Sequence, residues 1–223
     1  MGLDKTKRTL IVPDIHEQIE KLWNIAETLF PSAGRVVMLS DFMDCHGSKH
    51  HVRDTAIWIK EHPEVEKVWG NHDCHYAFKH PMFRCSGYST HTQIEVNSIL
   101  TFAEWSQFKV STMVGKFLVS HAGYHPSKLQ YRDQEQAAID SAFSGACHPL
   151  WIPGFSVGGP VPLGGPTWLR WWELEPIEGL PQIVGHTIGK EVREQDGNYC
   201  LDTQLRHVMW VDEETNEVEI VEV

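Results

Sequence analysis

The sequence predicts an α/β fold: one domain, residues 1–223, with a mixed β-sheet core flanked by helices. Two observations predict it. In the first third of the chain, strand-length apolar runs alternate with stretches whose apolar residues recur at helical spacing. Near the C-terminus, apolar and polar residues alternate as in antiparallel strands. No Ser/Gly-rich linker, charge block or internal repeat divides the 223 residues, and chains of this length commonly make one α/β unit.

Thr9–Val12 is a short apolar run closed by Pro13-Asp14, a buried-strand signal. Ile15, Ile19, Leu22, Trp23, Ile25, Ala26 and Leu29 then recur at helical spacing as far as Pro31. Arg35–Leu39 is a second strand, ending at Ser40-Asp41. Val52–Lys60 is a second helix, stopped by His62-Pro63, and Glu64–Trp69 is a third strand, closing on Gly70-Asn71. This βαβαβ rhythm predicts parallel strands joined by right-handed crossovers. Phe117–Ser120 is a strand and Gln134–Phe143 a helix. The stretch 147–166, rich in Gly and Pro, is a loop. Ile183-Val184 ends at Gly185-His186, and the tail from Tyr199 shows antiparallel alternation at Val208/Trp210 and Val218/Ile220.

Composition sets limits. Hydrophobic residues are 41% and charged residues 22% of the chain, ordinary for a globular protein. The apolar run Leu10–Val12 is far too short for a signal-peptide core or a membrane span. Five cysteines, an odd number in no disulfide-framework spacing, fit a reducing cytoplasm. A net charge of −11 repels polyphosphate backbones and argues against nucleic acid as a partner. Fourteen histidines raise the expectation of a metal site.

Five of the apolar runs end in residues fit to bind a divalent cation. They deliver Asp14 and His16, then Asp41, then Asn71 and His72, then His121, and last His186. Side chains at the carboxyl ends of strands in an open α/β sheet meet in one crevice. Two cations about 3.5–4 Å apart call for a bridging carboxylate with mixed oxygen and imidazole ligands. Such a set suits manganese first, with iron, zinc or magnesium as alternatives. Each motif alone also has an ordinary reading: Asp14 and Asp41 cap helices, Gly70-Asn71 marks a turn, and a single His121 or His186 is a buried, hydrogen-bonded imidazole. What carries weight is five of them in order.

Asp14-Ile15-His16, Asp41-Phe42-Met43-Asp44, Gly70-Asn71-His72-Asp73, Ser120-His121-Ala122-Gly123 and Gly185-His186-Thr187 resemble, in order, the five motifs of calcineurin-like metallophosphoesterases. That family's second histidine after the last Gly-His, usual in its phosphodiesterase branch, is Ile188 here. Leu201-Asp202-Thr203 together with the histidine motifs looks instead like the phosphoprotein phosphatase and diadenosine tetraphosphatase branch.

The resemblance implies an α/β sandwich with central mixed sheets flanked by helices. It also implies hydrolysis of phosphate esters or phosphoanhydrides on a phosphorylated protein or a nucleotide-type small molecule, with no membrane involved. Asp14 and His16 would hold one cation, Asp41 would bridge, and Asn71, His121 and His186 would hold the other. His72 would be the general acid, with Asp44 orienting its ring, and Arg170 would grip phosphoryl oxygens or else stack on Trp168, Trp171 or Trp172.

Several positions depart from the pattern. Pro13 and Ser40 stand where the family has glycine, Asp73 stands for glutamate, and the phosphate-binding arginine of the second motif is Cys45, followed by His46. His46, Arg53 or Arg84 would then have to compensate. The paired Asp-Cys-His triplets at 44–46 and 73–75 hint at a zinc site of Cys45, His46, Cys74 and His75, against which stands the lack of C-x-x-C spacing. Two other functions stay open: a phosphodiesterase or nuclease of the same superfamily, and a catalytically silent metal-binding scaffold.

Overall fold

The computed structural model describes residues 8–45, 50–78 and 80–223; His46 lies outside them. The chain builds two five-stranded sheets. The first has the order β10-β9-β1-β2-β3, with β1 (Arg8–Val12), β2 (Arg35–Met38), β3 (Glu66–Lys67), β9 (His207–Asp212) and β10 (Val218–Glu222). β1, β2 and β3 are parallel, while β9 runs antiparallel to both β1 and β10. The second sheet has the order β4-β5-β6-β8-β7, from β4 (Ser111–Val114), β5 (Phe117–Ser120), β6 (Gln182–Val184), β7 (Arg193–Gln195) and β8 (Asn198–Cys200).

Alternation along the strands explains the layers. On one face of the first sheet, Ile11, Val37, Met209 and Val211 pack against Phe117, Val119 and Ile183 of the second. On its other face, Leu10, Val12, Met38, Val208 and Trp210 meet helices α1 (Ile19–Thr28) and α2 (Val52–Glu61) through Leu22, Ile25 and Trp58. The sheets therefore face each other and helices cover the outside, as the resemblance implies. Trp69 stacks on Trp105 and meets Trp151 edge-on, so at least part of the large tryptophan complement serves packing.

Three local expectations shift. The first helix begins at Ile19 rather than Ile15, because His16 and Glu17 take left-handed backbone (φ 45° and 58°) that no α-helix contains. β3 keeps only two paired residues of the expected Glu64–Trp69, since Val68 bridges onward to Lys109 and Trp69 N donates to Lys109 O at 2.8 Å. Within the tail, Asn198–Cys200 joins the second sheet parallel to β6, and only β9 and β10 form the antiparallel pair.

Candidate metal centre and catalytic cleft

The loops after β1 and β2 are laced backbone to backbone. His16 N donates to Asp41 O at 2.7 Å and Glu17 N to Phe42 O at 2.9 Å. This lacing requires left-handed backbone at His16, Glu17, Ser40 (φ 69°) and Asp41 (φ 43°). The same loops need glycine opposite them. A Cβ on Gly70 would lie 2.1 Å from Asp41 Oδ1, and one on Gly185 would lie 2.0 Å from Asp14 Oδ2. Helix α3 (Asn71–Ala77) begins directly after Gly70, so the third strand-end motif is the first turn of a helix. Asp73, the family's glutamate position, accepts from Phe42 N at 3.0 Å and ties that turn to the loop after β2.

All six expected ligands are buried and converge. Asp14, His16 and Asp41 bring ligand atoms within 4.8 Å of one another, and so do Asp41, His121 and His186, so both groups share Asp41. His121 Nε2 lies 3.0 Å from Asn71 Oδ1, 3.1 Å from His186 Nδ1 and 3.2 Å from Asp41 Oδ2. Backbone carbonyls select the ring nitrogens that face inward. His121 Nδ1 donates to Leu39 O at 2.8 Å, and His16 Nδ1 to Asp44 O at 2.9 Å. Fixing an imidazole through its second nitrogen is how proteins orient metal ligands.

This donor set fits divalent cations. Asp14 Oδ2 and His186 Nε2 are buried without a hydrogen-bond partner, an arrangement costly for a polar atom unless something else compensates it. Burial, with Asp202 and Asp41 beside it, pushes the Asp14 carboxyl well above the usual range. Burial would raise Asp41 too, but the charges of His121, His72 and His16 hold it well below. Burial and the neighbouring His121 and Arg170 keep His186 neutral-leaning, far below the usual imidazole range. A neutral imidazole is the form that ligates.

His72 stands beside the shared aspartate. Its backbone N donates to Asp41 Oδ1 at 2.9 Å, and its Nδ1 lies 2.7 Å from Asp44 Oδ2. Burial would lower the imidazole, but Asp41 and Asp44 raise it well above its ordinary value. Asp44 in turn is opposed by burial and held down at about 2 by hydrogen bonds from His72, His75 and Tyr76. Tyr76 Oη donates to its second oxygen at 2.5 Å.

A cleft of about 600 Å³ opens on this centre, lined by His16, Asp41, Asn71, His72 and His186 together with two arginines, Arg84 and Arg170. Arg170 Nη1 reaches His186 O at 3.4 Å; it does not stack on tryptophan, and the guanidinium over Trp171 belongs to Arg193. Arg84 lies 4.6 Å over the Tyr88 ring. Arg53 and Cys45 line a separate pocket on the far side of Asp44, so neither reaches this cleft. Ile188 sits on the rim.

Sequence reading missed several contributors. Glu17, 2% exposed, accepts from the backbone N of Asp44 (3.0 Å), Cys45 (3.3 Å) and His51 (2.7 Å), and so anchors the variant second motif from beneath. An acid immediately after Asp-x-His was its only signal. Tyr76 and Cys85 also border the site, on helix or loop positions without a strand-end signature, and so do His75 and the Asp202 of Leu201-Asp202-Thr203, for which the sequence suggested no part in this cleft.

A pair of donor groups hinged on one aspartate, beside a cleft histidine backed by a second aspartate, defines the class as metal-dependent phosphoesterases. The chain belongs to the calcineurin-like phosphoesterase family, whose model matches residues 7–204. Its fold is similar to that of a cold-active protein-tyrosine phosphatase of a psychrophilic Shewanella, with TM-score 0.63 and 14% identity over 97% of this chain and 80% of the other. It is also similar to a protein serine/threonine phosphatase of Saccharomyces cerevisiae (TM-score 0.54, 18% identity, 99% of this chain and 81% of the other). A third likeness is to a candidate diadenosine tetraphosphatase (TM-score 0.50, 17% identity, 98% and 95%). At these identities the likeness establishes the fold. No curated protein matches the sequence.

Proposed function

We propose that this chain hydrolyses phosphate monoesters or phosphoanhydrides, on a phosphorylated protein or a dinucleoside-polyphosphate type of small molecule, with two divalent cations. The supporting observation is that Asp41 belongs to both donor groups while His72, paired with Asp44, faces the same cleft. Asp14 and His16 would hold one cation, Asn71, His121 and His186 the other, and Asp41, common to both donor groups, would serve the pair. When bound, the cations polarise the phosphoryl group and acidify a water. Manganese suits this carboxylate–imidazole set best, since no sulfur donor belongs to either group.

The chain's own side chains do the rest. Asp44 accepts the Nδ1 proton of His72, which leaves Nε2 to carry the proton donated to the leaving oxygen. Arg170 and Arg84 reach into the cleft as guanidinium forks, a shape suited to phosphoryl oxygens, and stand in for the clamp lost at Cys45. The absence of a disulfide among the described residues accords with a cytoplasmic setting, and among the same residues no helix is long and apolar enough to cross a membrane.

The test is hydrolysis of p-nitrophenyl phosphate after chelation and re-addition of Mn²⁺, Mg²⁺, Zn²⁺ or Fe²⁺. Turnover that vanishes on chelation and returns with Mn²⁺ supports the assignment. No turnover with any metal, at two bound ions per chain, would leave a scaffold. Faster cleavage of bis(p-nitrophenyl) phosphate than of the monoester would move the activity to diesters.

A further inference from the structure

Helix α3 carries a second constellation that the hydrolytic reading does not use in full. His72 and His75 sit three residues apart, on one face of the helix, and Cys85 reaches them from the segment that follows. One ligand atom from each lies within 4.8 Å of the others. Cys85 Sγ is 3.2 Å from His75 Nδ1 and lies opposite Asn71 Nδ2 at 3.5 Å. In tetrahedral zinc with ordinary bond lengths, sulfur and nitrogen ligands stand about 3.5 Å apart.

A second observation concerns the tautomers. Asp44 Oδ2 lies 2.7 Å from His72 Nδ1 and also 2.7 Å from His75 Nε2. The contact with His72 is a hydrogen bond, while His75 Nε2 approaches the same oxygen without hydrogen-bond alignment, and His75 Nδ1 is the nitrogen that faces the thiol at 3.2 Å. A carboxylate behind a histidine is the usual outer support of a zinc ligand, and here Asp44 gives it to His72 and stands 2.7 Å from His75 Nε2. Cys85 N also donates weakly to His75 Nδ1 at 3.4 Å, a contact that a metal would replace. His75 is wholly buried, while His72 and Cys85 line the main cleft, so a fourth position opens toward substrate.

We propose that His72, His75 and Cys85 form a third metal site, selective for zinc, whose occupation takes His72 away from proton donation and so inhibits the enzyme. Two imidazoles and a thiolate with one open position are a zinc donor set, whereas the carboxylate-rich pair of groups around Asp41 suits manganese. The site shares only His75 with the zinc cluster of Cys45, His46, Cys74 and His75 that the sequence hints at. Cys74 is 1% exposed and outside the group, and Cys45 lies on the other side of Asp44. The inhibitory part rests on His72 being the general acid; the binding part does not.

The experiment uses the full chain loaded with Mn²⁺ and titrated with Co²⁺ as a spectroscopic stand-in for zinc. Because neither group around Asp41 contains sulfur, near-ultraviolet thiolate-to-cobalt charge transfer reports cysteine ligation alone. One equivalent should develop that absorption, Zn²⁺ should displace it, and Cys85→Ser and His75→Gln should each abolish it. Zn²⁺ should lower wild-type turnover as the absorption is displaced, and the ratio of turnover with and without Zn²⁺ should return to one in Cys85→Ser. Absence of the band overturns the site. So does a band that survives Cys85→Ser and disappears in Cys45→Ser, which would place the metal at Glu17, Cys45 and His50. A band lost in Cys85→Ser with turnover indifferent to Zn²⁺ overturns the inhibition. If the band behaves as expected but Mn²⁺ supports no turnover, the metal site stands and the hydrolytic reading fails.

Discussion

The two halves of the molecule contribute to the centre in different ways. From β1 to α3, three successive parallel strands each end in a tight, laced turn, and those turns supply Asp14, His16, Asp41, Asn71, Asp44 and His72. Here the candidate acidic ligands and the proposed proton donor sit within 59 residues of chain, counted from Asp14 to His72 inclusive. The second half supplies two imidazoles, His121 after β5 and His186 after β6, and the arginine that reaches over them comes from the long irregular stretch between those strands. On the proposed reading, reaction chemistry is built by short local units, whereas closure of the ligand set and grip on the substrate come from segments whose position only the folded sandwich defines.

The strongest way to break this contrast is Asp41→Asn, since Asp41 alone belongs to both donor groups. Metal content by elemental analysis and turnover should fall together, and full metal occupancy in the variant would refute the shared role. Next is His72→Asn, expected to keep both metals while turnover drops about 10²–10⁴-fold. An unchanged rate would remove the general acid from the first half. Arg170→Ala and Arg84→Ala should each cost roughly 10–100-fold in kcat/KM with metal content intact, the scale of one charge-assisted hydrogen bond. If only Arg84 mattered, both chemistry and grip would belong to the first half and the contrast would collapse. The smallest effect is Ser40→Gly. Ser40 holds φ 69° with its hydroxyl buried and unpartnered. Glycine removes both costs and loses some ground to a freer unfolded chain, so urea unfolding should show a gain of about 0.5–1 kcal/mol.

Legibility in the sequence follows the same division. In the first half, apolar period and strand-end residues announced β1, α2 and β2 almost to the residue, and every expected ligand arrived in the crevice. The failures there have two physical sources: left-handed backbone at His16 and Glu17, which delays the first helix and which no periodicity records, and the pairing of Val68 and Trp69 with Lys109, which shortens β3. In the second half, β4 and β7 are edge strands of four and three residues, the latter polar throughout, too short to show alternation. Helices α4 (Thr90–Asn97) and α5 (Phe102–Trp105) rest on local caps, Ser89 and the Thr101–Glu104 capping box, more than on an apolar stripe. Arg84 and Cys85 enter the cleft from loop without period, so only the fold could place them. Glu17 was hidden differently: a buried carboxylate satisfied by three backbone N–H groups looks, in sequence, like any surface glutamate.

One hydrogen bond joins residues 172 positions apart, His186 N to Asp14 Oδ1. Contacts of such separation close late, because the intervening chain must first be ordered. A nascent chain that has emerged only through α3 therefore holds Asp14, His16, Asp41 and Asn71 with no imidazole from the second sheet to complete them. Metal capture is then the last act of maturation and not its nucleus, and cation supplied only after refolding should recover as much active protein as cation present from the start. A lower yield from late addition would show instead that the ions guide the two sheets together.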